Sequence, residues 1–214
     1  MTHPTWPLFD LRLATAGVAL RPMAEVDLAT VADLMPDHLE LNPAATTYPG
    51  LDTSTGRRVV LHQEYWRGWG RWSIASWALR FVVEVDGRIV GTQTLEGQDF
   101  PMLRTVDSAS WLVPEVRGRG LGKAMRAAVL ALAFGPLGAR CAITSAWIDN
   151  SASLGVSRAL GYQPNGQYWH RRADGVGAGA MAHLRLTRED WLASGAGDSV
   201  QMSGFEACRP YFGI

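Results

Sequence analysis

Residues 106–148 constrain the fold more than any other stretch of the chain. They read VDSASWLV, then PEVRGRGLGK, then an alanine- and leucine-rich run, then CAITSAWI. VDSASWLV (106–113) and CAITSAWI (141–148) are short, largely apolar and bounded by turn residues, which predicts strands. Between them 120–134 has helical character and stops at Gly135-Pro136, a pair that cannot continue a helix. A strand, a glycine-rich turn, a helix and a second strand predict one strand–helix–strand unit at the centre of an α/β chain.

The segments on either side extend this reading. LRLATAGVALRPM (11–23) alternates around Gly17 and predicts a strand pair or one bent strand. AEVDLATVADLM (24–35) predicts a helix that ends before Pro36. Residues 36–56, with Pro36, Asn42-Pro43 and Pro49-Gly50, carry no period and read as an excursion over the surface. A helix with an aromatic face (Tyr65, Trp66, Trp69, Trp72) is expected over 57–74, although Gly68 and Gly70 disfavour it. WALRFVVEV and RIVGTQTLEG flank Asp86-Gly87, a type I′ dipeptide, and predict a hairpin. Asp149-Asn150-Ser151 supplies capping chemistry for a helix over 151–160, with Gly161 at its C-terminal end. Strands at 167–173 and 180–187, joined by ADGVGAG, complete the order, and no internal repeat is present.

Composition narrows the functional classes. At 214 residues one domain over 1–214 is expected, with its core at about 11–190 and a tail at 191–214. The apolar end SGFEACRPYFGI is expected to cover a sheet edge or a partner subunit, so a homo-oligomer is a candidate assembly. Lys+Arg and Asp+Glu both number 20, which removes the broad basic field of a nucleic-acid binder. Two cysteines, Cys141 and Cys208, are too few for a disulfide framework and fit a reducing compartment. With no secretory pattern in MTHPTWPLFDLR and no stretch near the ~20 apolar residues of a membrane span, the expected location is cytoplasmic, with no membrane partner. His38, His62, His170 and His183 lack ligand spacing, and no metal is expected.

The glycine turn carries chemistry. A helix start presents unpaired N–H groups and a partial positive charge. Gly118, Gly120 and Gly122 let the backbone approach an anion, and Arg117, Arg119 and Lys123 add cationic donors, so a diphosphate would fit. A solvated turn with its arginines in water uses the same residues. Two known phosphate motifs fail. A P-loop needs Ser or Thr after Gly122-Lys123 and glycine at 117, where the chain has Ala124 and Arg117. The dinucleotide fingerprint opens at Gly118 and Gly120 but has Lys123 where the third glycine belongs.

What remains is R-x-x-G-x-G at Arg117, Gly120 and Gly122, followed downstream by DNSASLGVSRALGY. Together these resemble the GNAT N-acyltransferase superfamily, and the spacing from Asn150 to Gly161 and SWLVPEVRGRG are similar to its RimJ/RimL branch. WPLFDLR, VDSASW, MRAAVL, DNSAS, LTREDW and CRPYFG are similar to a mycobacterial GNAT protein associated with lysine succinylation. The resemblance implies an α/β (α+β) GNAT fold: a mixed, mostly antiparallel sheet with helices on both faces and a central β-α-β acyl-CoA site. It implies acyl transfer from acetyl-CoA or succinyl-CoA to a primary amine on a protein or small molecule, by direct attack in a ternary complex.

The same resemblance assigns residues. The pantetheine arm would lie in a gap between strands 106–113 and 141–148, against main chain around Trp111, Leu112 and Val113. The pyrophosphate would meet Arg117, Gly118, Arg119, Gly120, Leu121, Gly122 and Lys123. Asn150 matches a family asparagine near the pantetheine, although a helix cap explains it equally. Asp107 stands where relatives carry an acid and is the first candidate base, directly or through water, with a surface aspartate as the plain alternative; Glu96 is the reserve. Many members place a tyrosine four residues before the glycine of the G-[FY] pair, to protonate the thiolate. Ser157 occupies that slot here.

Ser153, three after Asn150, matches a serine of RimL-like relatives and is therefore the preferred acid and a second cofactor contact, with Ser157 behind it. Solvent protonation and ordinary helix-surface roles are the alternatives. The missing tyrosine keeps open a non-catalytic coenzyme A-binding sensor or interaction module. Trp66, Trp69, Trp72 and Trp77 either line an acceptor groove or form core. His170-Arg171-Arg172 either steadies a carboxylated acyl group or acidic acceptor, or is a solvated charge run. A covalent cysteine route is disfavoured, because Cys141 begins a buried strand and Cys208 lies in the tail.

Overall fold

The computed structural model describes residues 3–37, 39, 45–46, 48–172 and 177–214. Two tight hairpins build one half of its sheet. Ala16 and Gly17 have φ of 43° and 81°, and Asp86 and Gly87 have φ of 50° and 73°. Two successive positive φ values are what a type I′ turn requires, and that turn matches the twist of paired strands. The first turn joins β1 (Arg12–Thr15) to β2 (Val18–Pro22), so 11–23 is a strand pair. After a short 3-10 turn, α1 (Leu28–Leu34) ends one residue before Met35-Pro36.

The aromatic helix α2 (Thr53–Gly70) begins four residues earlier and ends four earlier than its periodicity predicts. Asp52 accounts for the start: its carboxylate accepts from Thr55 N at 3.0 Å and Thr55 Oγ1 at 2.6 Å, satisfying an orphan donor of the first turn. Asn42 and Pro43 of the expected excursion lie outside the described residues. The second hairpin joins β3 (Trp77–Val85) to β4 (Arg88–Gly97), and a single turn, α3 (Phe100–Leu103), leads into β5 (Thr105–Leu112). The central unit continues through α4 (Leu121–Phe134) and β6 (Cys141–Trp147). Then come α5 (Ser151–Ala159), β7 (Gln163–Arg171), β8 (Ala178–Thr187), α6 (Arg188–Ser194), β9 (Gln201–Ser203) and α7 (Arg209–Phe212). β7 starts earlier than expected because its pairing with β8 passes through an irregularity between Pro164 and Gln167, where Gly166 has φ of 112°.

Among the described residues nine strands form one sheet in the order β7-β8-β6-β5-β4-β3-β2-β1-β9. Each neighbouring pair is antiparallel except β5 and β6, which are parallel because α4 carries the chain back across one face. Alternation along β3 assigns the two faces. Leu79, Phe81 and Val83 join α4 in the larger core cluster, whereas Val82 packs with Met23, Leu28, Val31 and Tyr65 beneath α1 and α2. A side chain such as fully buried Phe81 contributes roughly 1.5–3 kcal/mol through area removed from water. The segment after residue 190 joins the same core. Trp191 stacks on Phe134, Phe205 and Phe212 are buried, and β9 pairs with β1, so this part of the chain covers an edge of its own sheet. Among the described residues no helix is long and apolar enough to cross a membrane.

Candidate functional site

The parallel pairing of β5 and β6 is brief. It runs from Thr105–Cys141 through Val106–Ala142 to Asp107–Ile143 and stops. Beyond that point Ser108 to Leu112 remain paired with β4, and Thr144 to Trp147 with β8. The strands therefore diverge, leaving main chain of two edges facing each other across a cleft. Tyr162 Oη and Ser108 Oγ are buried beside this divergence, and their interaction only partly offsets the burial that raises the Tyr162 pKa.

At the open end of the cleft the glycine turn forms a nest of donors. Gly118 and Gly120 have φ of 76° and 79°, and Gly120 caps α4. The N–H groups of the five residues from Gly118 to Gly122 have no acceptor among the described residues. Lys123 and Ala124 N–H instead bond Gly120 O. Arg117 turns back: its Nε and Nη2 donate to Leu112 O at 3.0 and 2.8 Å, tying the turn to the end of β5. The side chains of Arg119 and Lys123 are exposed and make no hydrogen bond or ion pair among the described residues. Successive free N–H groups at the start of a 14-residue helix, flanked by two free cations, suit a diphosphate. Gly122 has a separate reason to be glycine, since a Cβ there would lie 3.3 Å from Val156 Cγ2 of α5.

The expected acid candidates part company. Asn150 Oδ1 accepts from Ser153 N at 3.0 Å, which caps α5. Ser153 is half-buried, and its own hydroxyl makes no hydrogen bond among the described residues. Ser157 is 1% exposed; its hydroxyl donates to Ser153 O at 3.1 Å and accepts from Arg126 Nη1 at 2.7 Å. Ser157, the second of the two expected acids, thus carries a proton committed to the helix backbone. Arg126 is 4% exposed within α4, and its second terminal nitrogen lies 3.4 Å from Ser110 Oγ. Burial lowers its pKa against the opposing pull of Tyr162 and Asp107.

On the α2 face of the sheet a cavity of about 590 Å³ reaches Asp107 and Ile143, the last paired residues of β5 and β6. Its floor carries Arg80 of β3, Glu96 of β4 and Asp107 of β5, and α2 contributes Glu64 and Arg67, which form an ion pair. Asp107 is pushed up to about 6, chiefly by burial and further by Glu96; a hydrogen bond from Ser108 N at 2.6 Å and the charge of Arg126 oppose the rise. Glu96 is open to the cavity yet walled by protein on its sides. Burial raises its pKa, with Glu64 adding and Arg80 opposing. Burial lowers the pKa of Arg80.

The profile of the acetyltransferase (GNAT) domain matches residues 18–163. The chain belongs to the GNAT acetyltransferase family. Among solved structures, Mycobacterium smegmatis RimJ in complex with CoA-disulfide is similar at 21% identity and a TM-score of 0.65. That match covers 94% of this chain and 99% of RimJ. A mutant of the Vibrio cholerae spermidine N-acetyltransferase SpeG is similar at 14% identity and a TM-score of 0.62, covering 82% of this chain and 96% of SpeG. The antiparallel sheet with one parallel pair is therefore a GNAT fold.

Within this GNAT chain the aromatic stretch divides. Trp69 and Trp72 stack on each other and meet Trp6, and Trp72 stacks in turn on Trp77, which meets Phe100 and Phe212. Most of these rings are packing; Trp77 also borders the cavity, and Trp66 is 51% exposed. Of the HRR run, Arg172 pairs with Asp149 at 2.8 Å and lies over Trp147. His170 Nε2 comes within 3.3 Å of His183 Nε2 across the β7–β8 pair, while His38 lies outside the described residues. Arg80 and Arg126 escaped the sequence reading. Each interrupts an apolar run, WALRFVVEV or AMRAAVLALAF, and a charge at an inward position was the available signal.

Proposed function

We propose that this GNAT chain, acting as one domain, is an acyl-coenzyme A-dependent N-acyltransferase for a primary amine. The observation that carries the reading is the position of Asp107. It is the last residue of β5 paired to β6, so it lies where the cleft leading to the donor nest meets the cavity on the α2 face.

Gly118 to Gly122, with Arg119 and Lys123, would hold the pyrophosphate, and Arg117 would keep the turn in register with β5. Main chain from Trp111 to Val113 and the Asn150 side-chain amide would face the pantetheine. When bound, the acyl thioester supplies an electrophilic carbonyl. The chain's own residues supply the rest. With a pKa of about 6, Asp107 is ionised at neutral pH and takes a proton from the acceptor ammonium, leaving a neutral amine. Glu96 stands beside it to attract the ammonium. As the amine nitrogen bonds to the carbonyl carbon and the C–S bond breaks, Ser153, with its uncommitted hydroxyl, would relay the proton that the nitrogen sheds to the departing thiolate; Ser157 is spent on Ser153 O and Arg126. Acetyl and succinyl groups are both candidate donors, and the amine is carried by a protein or a small molecule.

Turnover of acetyl-CoA and succinyl-CoA with a panel of primary amines, read by release of free thiol alongside calorimetric affinity for coenzyme A, tests the proposal. Coenzyme binding with amine-dependent thiol release supports it. Binding without release from any amine would favour the second reading, a coenzyme A-binding sensor, which the burial of Ser157 in the tyrosine slot motivates.

A further inference from the structure

The cavity that reaches Asp107 is lined by charges of both signs, and Arg80 and Glu96 feel each other's charge without touching. Glu64 is taken by Arg67. The side chains of Arg80, Arg71 and Glu96 make no hydrogen bond and no ion pair within 4 Å among the described residues. Arg80 is half-buried on the cavity floor, so its five N–H donors have lost much of their water and gained no acceptor in return. Such a guanidinium has unsatisfied capacity for a planar anion. Its position relative to the carboxylates follows from register. Arg80 opposes Thr94, and Glu96 opposes Ala78, so the two are diagonal neighbours on one face; Asp107 is directly across from Glu96 on the next strand. Diagonal neighbours have backbones roughly 7–8 Å apart, a distance that long side chains close to within the span of a small molecule.

We infer that the acceptor is an amphoteric amine, a primary amine with a carboxylate a few bonds away, whose ammonium faces Glu96 and Asp107 while its carboxylate lies on Arg80 with Arg71 at the mouth. This rests on the proposed acyltransferase reading and adds the chemical class of the acceptor to it. A free amino acid and a peptide beginning with an acidic residue share this chemistry. A polyamine does not, because once its first ammonium faces Glu96 and Asp107 its further charges would meet Arg80 and Arg71, while Arg67 is neutralised by Glu64.

The test compares acceptors that differ only in the anion: β-alanine against β-alanine amide, and the dipeptide Asp-Gly amide against Asn-Gly amide, with spermidine as the polycation. Each is measured as the calorimetric affinity for coenzyme A-saturated protein and as KM with acetyl-CoA. The carboxylate member of at least one pair is expected to bind tenfold or more tighter than its amide, and the pair that shows this identifies the source as free acid or peptide. Arg80→Gln should shrink that ratio towards one, Arg80→Lys should restore part of it, and Arg71→Ala, at an exposed position, should reduce it without endangering the fold. Equal affinities within both pairs, or preference for spermidine, would overturn the inference even if amines are acylated. An Arg80→Gln defect seen with succinyl-CoA but absent with acetyl-CoA would also overturn it, by assigning the arginine to the donor. Selective binding of the carboxylate without any acylation leaves the acceptor class standing and removes the catalytic reading instead.

Discussion

Glu96 and Asp107 are cross-strand partners in the β4–β5 register, and both face the cavity on the α2 face. Directly opposed residues on one face have Cβ atoms about 4.5–5.5 Å apart, close enough for two carboxylates to resist joint ionisation. Glu96 raises the affinity of Asp107 for a proton, whereas burial and Glu64 raise that of Glu96 against the pull of Arg80.

The first prediction concerns the pH dependence of turnover. With Asp107 at about 6, kcat/KM is expected to rise with pH through that value as the base ionises. Glu96→Gln removes a neighbouring negative charge, which favours ionised Asp107 and moves the acidic limb to lower pH. Arg126→Met removes the opposing positive charge and moves it to higher pH. A limb that stays in place in both variants would detach Asp107 from the rate.

Stability should change with the opposite sign. The folded-state pKa of Asp107, about 6, lies above its ordinary 3.8, so folding binds a proton between those values. The associated stability is present below about pH 4 and lost as pH rises through about 6. Asp107→Asn should therefore match the parent near pH 4 and exceed it at pH 7 to 8, by at most roughly 3 kcal/mol and less where water screens the group. Denaturant unfolding at the two pH values measures this. The same variant should lose at least ~10²-fold in kcat.

Arg119→Ala should weaken coenzyme A binding by roughly tenfold to a hundredfold, the worth of a charge-assisted hydrogen bond, and alter kcat much less. In the unliganded chain Gly120→Ala acts through backbone strain: φ there is 79°, and no protein atom lies within 4 Å of the added Cβ. A cost of about 1–2 kcal/mol in folding stability is expected. Calorimetric titration with coenzyme A and thermal unfolding read the two effects separately.

The two serines of α5 should behave differently. Ser157→Ala removes an acceptor from buried Arg126 and should destabilise by about 1–3 kcal/mol while kcat changes little. Ser153→Ala leaves stability nearly intact and should lower kcat. Reversal of that pattern, with kcat falling for Ser157→Ala alone, would return the acid to the tyrosine slot.

Local chemistry in the sequence was enough for the hairpin at Asp86-Gly87, the glycine turn into α4, the Asn150 cap and the family to which these motifs belong. Each depends on dihedral preference, helix-end donors or periodicity, and these act over a few residues. Pairing of β9 with β1, the approach of Arg80 to Glu96, and the ring contacts of Trp72 with Phe212 join positions far apart in the chain, and no local preference selects them. The fate of Ser157 is the sharpest case. The family resemblance suggested a catalytic slot for it, but the packing of α5 against α4 brought Arg126 to its hydroxyl. Residue types and spacings thus determined the elements and the donor nest, whereas strand register and helix packing decided which charges share the cavity. Those depend on the whole core finding one arrangement that buries its apolar faces together.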